Sequence, residues 1–345
     1  MDFQKMINAD FSAPETIPQA DKRKKLVLQK PVMLFLTVVV IFCFTSVQSQ
    51  EFINLWPADK KPNDNGELVK DTLRNDRIWA VGTPGMYFFK VPKEENKGSA
   101  VLICPGGGYQ RLSYLYNGFN LAKWFKVQGV NAFVLIYRLP HQIDLIDRRL
   151  APLQDAQRAI KIIRGHASNW EIDVNKVGVM GVSAGGHVAG MLGTSLKDVS
   201  QIKDSFDNYN FSPSFMILLS PVITMGNYAH KGSKAILLGS DSASSEMIYK
   251  YSLENQVTSC TPPTFLLHAF NDQTVLVQNS LLFYNALIKN NINASIHIFP
   301  QGRHSLNLNN NPGSADLWPE LLRKWLIEMR FNNQKLNNNE VRKAK

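Results

Sequence analysis

Gly181-Val182-Ser183-Ala184-Gly185-Gly186-His187 follows directly on the apolar run KVGVM at residues 176–180. A serine with a glycine two residues away on either side is either a nucleophile held on a strained turn or an ordinary member of a glycine-rich loop. The five-residue pattern alone is a weak signal. Its surroundings are more informative. Val177–Met180 reads as a short β-strand and Ser183–Leu196 as a helix, so the serine falls on a strand-to-helix turn. Such a turn is sharp enough to demand small residues at 181 and 185, and the helix N-terminus sets a positive dipole end beneath the hydroxyl.

Outward from this turn the chain alternates β-rich and helical segments. Strands are expected at Met86–Val91, Ala100–Cys104, Ala132–Tyr137, Phe215–Leu219, Thr264–Ala269 and Ser295–Phe299. Most are near-continuous apolar runs, as in parallel strands covered on both faces. Helices are expected at Asn117–Val127, Pro152–Arg164, Val277–Asn290 and Trp318–Phe331. In the second of these, Leu153, Ala156, Ala159, Ile160 and Ile163 recur at helical spacing behind a proline suited to a first turn. The alternation predicts one α/β domain over residues 50–331, a doubly wound and mostly parallel sheet with helices on both faces. The asparagine-rich residues 332–345 are expected to form a disordered tail.

The chain has 345 residues and a formal net charge of +10, but about half of that excess sits in the two termini. No basic stripe interleaved with aromatics is present, which argues against a nucleic-acid partner. The N-terminal charge has its own explanation. KRKKLVLQK leads into the apolar Val32–Val47 and then Gln48-Ser49-Gln50, the pattern of a secretory signal occupying residues 1–49, with cleavage after Ser49. As a helix the apolar core would span about 24 Å, short for a hydrocarbon layer of about 30 Å, and an uncleaved signal anchor is the alternative. Export to the periplasm or the medium is therefore expected, with membrane contact only through this segment if it is retained. Cys43 would leave with the signal. Cys104 and Cys260 are expected as thiols, with a disulfide between them as the alternative. No Cys or His spacing suggests a metal, and no cofactor is expected.

A serine hydroxyl needs a base and an acid that orients it. His304, in QGRHSLNL after the last strand, is the candidate base, and Asp272, at the end of the strand Thr264–Ala269, is the candidate acid. Asp241, in LLGSDS, is the rival acid. Cys104-Pro105-Gly106-Gly107-Gly108-Tyr109 follows an early strand, and its glycines would let backbone N–H groups approach a developing oxyanion. Gly107, Gly108 and Ala184 are the candidate oxyanion residues. Tyr109 and Arg111 are candidate pocket residues. His187 is expected to be structural and His268 and His297 to lie within the sheet or core. His141, His166 and His230 receive no role. Asp155 reads as an acid complementing a helix dipole, and Arg138 as a structural ion-pair or carbonyl-binding residue.

The combination VLICPGGGYQRLS, GFNLAKWF, NAFVLIYRLP, PLQDAQRAIKIIR, GVMGVSAGGHVAG and HAFNDQTV resembles the α/β-hydrolases of the acetylxylan esterase-like family, secreted bacterial carbohydrate esterases. The resemblance runs over about residues 54–328, from NLWP onward, and the C-P-G-G-G-Y loop differs from the H-G-G-G form of hormone-sensitive-lipase-like esterases. It implies an α/β-hydrolase fold, Ser183, Asp272 and His304 as a triad, and Gly107, Gly108 and Ala184 as the oxyanion region. Three positions depart from the family pattern: Asn117-Gly118 where many members carry an acid before the glycine, Val275-Leu276 for Val-Pro, and His304-Ser305 for His-Gly.

The expected function is hydrolysis of small acyl esters, acetyl above all, on xylan-type saccharides. A feruloyl or general carboxylesterase with the same triad is the near alternative. A non-catalytic saccharide-binding protein on the same fold is the alternative of another class.

Overall fold

The computed structural model describes residues 50–239 and 243–332. The expected signal segment with Cys43, the rival acid Asp241 and the tail from residue 333 onward lie outside the described residues.

The strands are β1 (Glu51–Asn54), β2 (Thr72–Arg74), β3 (Arg77–Ala80), β4 (Gly85–Phe89), β5 (Ser99–Cys104), β6 (Val130–Ile136), β7 (Val177–Val182), β8 (Met216–Leu219), β9 (Thr264–Ala269) and β10 (Ala294–Phe299). The helices are α1 (Asn120–Val127), α2 (Ala151–Gly165), α3 (Ala184–Thr194), α4 (Lys231–Leu238), α5 (Ser245–Tyr251), α6 (Gln278–Lys289) and α7 (Trp318–Glu328). Eight strands form one sheet in the order β1-β4-β6-β5-β7-β8-β9-β10, and β2 and β3 form a separate two-stranded ribbon. All neighbours from β6 through β10 are parallel. β1 and β4 run antiparallel at one edge.

Side chains alternate across each strand, so one apolar run feeds two cores. Val101 and Ile103 of β5 join Leu121 and Phe125 of α1 and Trp318, Leu322 and Trp325 of α7. Ala100, Leu102 and Cys104 join Ala156, Ile160 and Ile163 of α2 and Val188 and Leu192 of α3 on the opposite face. Each fully buried Leu, Ile or Phe in these layers contributes roughly 1.5–3 kcal/mol. The helices thus cover both faces of a mostly parallel sheet, as the sequence predicts. The strand order reverses at β5, with β6 on one side and β7 on the other. The loops after β5 and β7 therefore leave from neighbouring strands at the carboxyl edge, where open α/β sheets form their crevice.

Several elements differ from expectation. β1 is a short, mostly exposed edge strand without apolar alternation, and neither it nor the β2–β3 ribbon shows a strand pattern. α4 and α5 occupy the long connection between β8 and β9. The helix expected from Asn117 begins with a π-turn at Leu115–Phe119 and becomes α-helical at Asn120. Asp155 is not a first-turn acid complementing a helix dipole, because α2 begins at Ala151 and its first turn holds no acid. It is fully buried, pairs with Arg138 at 2.8 Å and accepts from Trp56 Nε1 at 2.8 Å. Cys104 and Cys260 are both free thiols, the first buried and the second exposed.

Candidate active site

Ser183 follows the last residue of β7 and precedes the first residue of α3, with φ 56° and ψ −123°. A positive φ is unfavourable for a residue with a Cβ, and it persists only where the surroundings over-determine it. Here they do. The Ser183 N–H donates to Leu219 O at 3.1 Å, and its carbonyl accepts from Gly186 N and Val222 N, each at 2.9 Å. Both motif glycines are required by close approach: a Cβ on Gly181 would lie 2.2 Å from Gly185 O, and one on Gly185 would lie 2.0 Å from Cys104 O. The turn that lifts the hydroxyl is therefore also the joint between α3 and the loop after β5.

That loop is clamped at several points. Tyr137 Oη donates to Pro105 O at 2.9 Å, Ser113 N donates to Gly106 O at 2.8 Å, and Gly107 O accepts from Gln110 N and Arg111 N at 3.1 and 3.2 Å. Gly107, at φ 141°, admits no Cβ, which would lie 2.0 Å from Arg111 O. The N–H of Gly107 and that of Gly108 form no hydrogen bond to another described residue. The N–H of Ala184, at the first helical position, has no intrahelical partner by its place in the helix. These are uncommitted donors around the serine, the arrangement that receives a developing negative oxygen.

On the other side of Ser183 stands a relay of short hydrogen bonds. His304 Nδ1 lies 2.7 Å from Asp272 Oδ2, and His304 Nε2 lies 2.9 Å from Ser183 Oγ. A carboxylate only accepts, so Nδ1 carries the proton and Nε2 is left to accept from the serine hydroxyl. Asp272 is fully buried and its second oxygen accepts from Thr274 N and Val275 N at 2.9 and 3.0 Å. Burial pushes this carboxyl up, but hydrogen bonds from His268, His304 and Val275 outweigh it and hold it well below the usual carboxylate range. Asp272 is thus a fixed anion that can steady an imidazolium on His304.

The site contains histidines that the sequence did not assign to it. His268, on β9, places Nε2 3.3 Å from Asp272 Oδ2 and 2.8 Å from Val275 O, so Nε2 carries its proton. Its Nδ1 accepts from Ser280 Oγ at 2.8 Å. His268 is in the sheet as expected, yet it is also a second imidazole donor to the candidate acid. Its only signal in the sequence is its place four residues before Asp272. His230 caps α4 and lines the cleft opposite the glycine loop. Its Nδ1 accepts from Ser233 N at 3.2 Å, which leaves the proton of the neutral ring on Nε2. Burial and then the nearby His304 push its pKa down, with Asp272 opposing. Asn117, noted in the sequence only as a departure from the family, is buried and lines the same cleft.

The cleft over Ser183 has a volume of about 560 Å³, and Arg111 lies along it, its guanidinium 5.0 Å over the Trp79 ring. Tyr109 does not line it, contrary to expectation. A positive φ of 62° turns its backbone, and its fully buried side chain reaches His187, Tyr109 Oη donating to Nδ1 at 2.8 Å. His187 Nε2 donates in turn to Tyr251 O at 2.8 Å, so this ring is neutral, and burial pushes its pKa down to about 4. Tyr109 and His187 thereby tie the glycine loop to α3 and α5. Among the described residues no group of three or more His, Cys, Asp or Glu side chains is arranged to hold a metal ion.

The BD-FAE family model matches residues 88–287, which is more than half of the chain. The chain belongs to the BD-FAE family of α/β-hydrolases. The crystal structure of an acetyl ester-xyloside bifunctional hydrolase from Caldicellulosiruptor lactoaceticus is 33% identical, with a TM-score of 0.70, and the match covers 84% of this chain and 99% of that one. An endo-1,4-beta-xylanase B of Butyrivibrio fibrisolvens is 37% identical over 276 residues, 76% of this chain and 43% of that protein. An acetylxylan esterase of Xylanibacter ruminicola is 35% identical over 215 residues, 61% of this chain and 42% of that protein. The chain therefore spans less than half the length of these two curated relatives. The matched domain is of the carboxylic-ester hydrolase class.

Proposed function

We propose that this chain is an exported serine esterase that removes small acyl groups, acetyl above all, from xylan-type saccharides. The observation that carries the reading is the continuous Asp272–His304–Ser183 relay, with contacts of 2.7 and 2.9 Å, ending at a hydroxyl in an open cleft. In this mechanism His304 Nε2 takes the serine proton as Oγ attacks the ester carbonyl, and Asp272 stabilises the imidazolium. The N–H groups of Ala184 and of Gly107 or Gly108 receive the negative oxygen of the tetrahedral intermediate. His304 then gives its proton to the departing sugar oxygen, leaving an acyl-Ser183. Water, deprotonated by His304, attacks that ester and releases acetate.

The acetyl-xylan substrate draws support from the names of the relatives that share the domain. Export rests on the basic and apolar segment ahead of Gln50. Acetate release from acetylated xylan by the wild type, abolished in Ser183→Ala, is the expected result. No release by the wild type, or equal release by the variant, overturns the reading. Activity confined to aryl or feruloyl esters would replace the substrate and keep the chemistry. Failure of a fluorophosphonate to label Ser183 in folded protein would point instead to a non-catalytic saccharide-binding protein. N-terminal sequencing of the exported product should begin at Gln50.

A further inference from the structure

Beside the catalytic cleft lies a second hollow of about 420 Å³. Tyr116 and Asn117 line both, so the two hollows adjoin across these residues. Tyr116 is 49% exposed, an aromatic face left open at their boundary. The hollow has a floor of buried Leu121 and Leu306 and a rim that includes the exposed amides of Asn120, Asn309 and Asn310. Lys123 is the single charged side chain among its lining residues.

We infer that this hollow is a saccharide subsite that binds the sugar chain on the leaving-group side of the ester. The inference rests on the esterase reading above. A pyranose ring offers apolar C–H faces and a girdle of hydroxyls that both donate and accept. Leucine side chains and an open tyrosine ring suit the first, and primary amides, each with two donors and an acceptor, suit the second. Direction follows from the chemistry. The leaving oxygen takes its proton from His304, so the sugar departs on the His304 side of Ser183. The segment that continues from His304, Leu306–Asn310, is the segment that walls the hollow. The opposite wall of the catalytic cleft carries Ala235 and Ile236 of α4, an apolar surface suited to the acyl methyl. The preferred substrate is accordingly an oligosaccharide or polymer whose backbone occupies the hollow, rather than an acetylated monosaccharide.

Two measurements test this apart from the esterase reading. The first is calorimetric titration of acetyl-free xylohexaose into Ser183→Ala protein, alone and combined with Asn120→Ala or Asn309→Ala. Loss of a hydroxyl–amide hydrogen bond should weaken binding about fivefold to tenfold in each combined variant. The second is the ratio of kcat/KM on acetylated xylohexaose to that on an aryl acetate, which should fall in Asn120→Ala and Asn309→Ala by a similar factor. Both amides are exposed, so these variants should fold. Binding of xylohexaose that is absent, or undiminished in both variants, together with an unchanged ratio, overturns the subsite even if acetate is released. Xylohexaose binding that the variants weaken, with no acetate released from any xylo-oligosaccharide, upholds the subsite and overturns the esterase reading.

Discussion

Two groups of buried charge in this protein are built to opposite ends. Around α2, Arg138 from just beyond the end of β6 and Arg158 and Lys161 from the helix itself are almost wholly removed from water. Each is closed by carboxylates: Arg138 by Asp155, Arg158 by Asp204, and Lys161 by Asp198 and Asp207 at 2.5 and 3.1 Å. Arg138 Nη1 is occupied as well, donating to Pro62 O at 2.6 Å. At the carboxyl edge of the sheet, Asp272 is just as deeply buried and as fully hydrogen-bonded. One of its partners, however, has a second nitrogen, and that nitrogen meets a hydroxyl facing a cleft. Burial and ion pairing do not separate a reactive site from a structural one. A hydrogen-bond chain that ends on a hydroxyl facing a cleft does.

The largest effects should fall on the open group. Ser183→Ala should lower kcat about 10⁶-fold and Asp272→Asn about 10⁴-fold, as measured by steady-state hydrolysis of an acetyl ester. An Asp272→Asn enzyme with wild-type kcat would place that carboxylate with the structural charges. The closed group should show the reverse. Arg138→Met leaves Asp155 buried without its partner and should cost about 3–5 kcal/mol in urea unfolding, with kcat per folded molecule unchanged. A collapse of kcat at full stability would erase the distinction between the two regions.

His187 joins the regions' logic, because it is buried like the first group and linked to the loop of the second. Its pKa is pushed down from 6.5 to about 4, so as pH falls the unfolded chain takes up this proton before the folded one does. Its contribution is complete above pH 6.5 and declines as pH falls towards 4, by about 3 kcal/mol in all. Urea midpoints across that window should show the slope, and His187→Gln should flatten it. A slope unaltered by the substitution would assign the acid sensitivity to other groups. The smallest effect concerns Ser305, which sits at φ 59°, a backbone region that favours glycine. Ser305→Gly should relieve the strain and raise stability by up to about 1 kcal/mol. A loss in urea unfolding would mean that the serine side chain is held by its surroundings.

The three groups of the proposed triad were legible because each lies beyond the end of a strand that reads clearly and carries chemistry that few residue types supply. G-x-S-x-G after an apolar run, a D-x-x-V after β9 and a histidine after β10 place three groups at one sheet edge. Other features were hidden for physical reasons. Nothing in C-P-G-G-G-Y says that Tyr109 turns inward, since its direction follows from a positive φ set by clamps on either side of the loop. A strand pattern puts His268 in the sheet but does not reveal which carboxylate its ring meets. Asp155 resembled a dipole partner because its true partners, Trp56 and Arg138, are remote in sequence. β1 escaped because an exposed edge strand has no apolar rhythm. The second hollow was invisible because it is assembled from the start of α1 and a loop nearly two hundred residues later.

The pairing of Cys104 with Gly181 across β5 and β7 has one further effect. Ala184 and Gly107 each lie three residues beyond one member of that pair. The two sides of the proposed anion-receiving pocket thus hang from a calliper whose jaws are adjacent strands, opened to the inter-strand distance of about 4.8 Å that backbone hydrogen bonding imposes. Its gauge is a property of the peptide group rather than of any side chain. Loops around α4 and after His304 can therefore be rebuilt for a different alcohol or acyl group while the calliper keeps its opening.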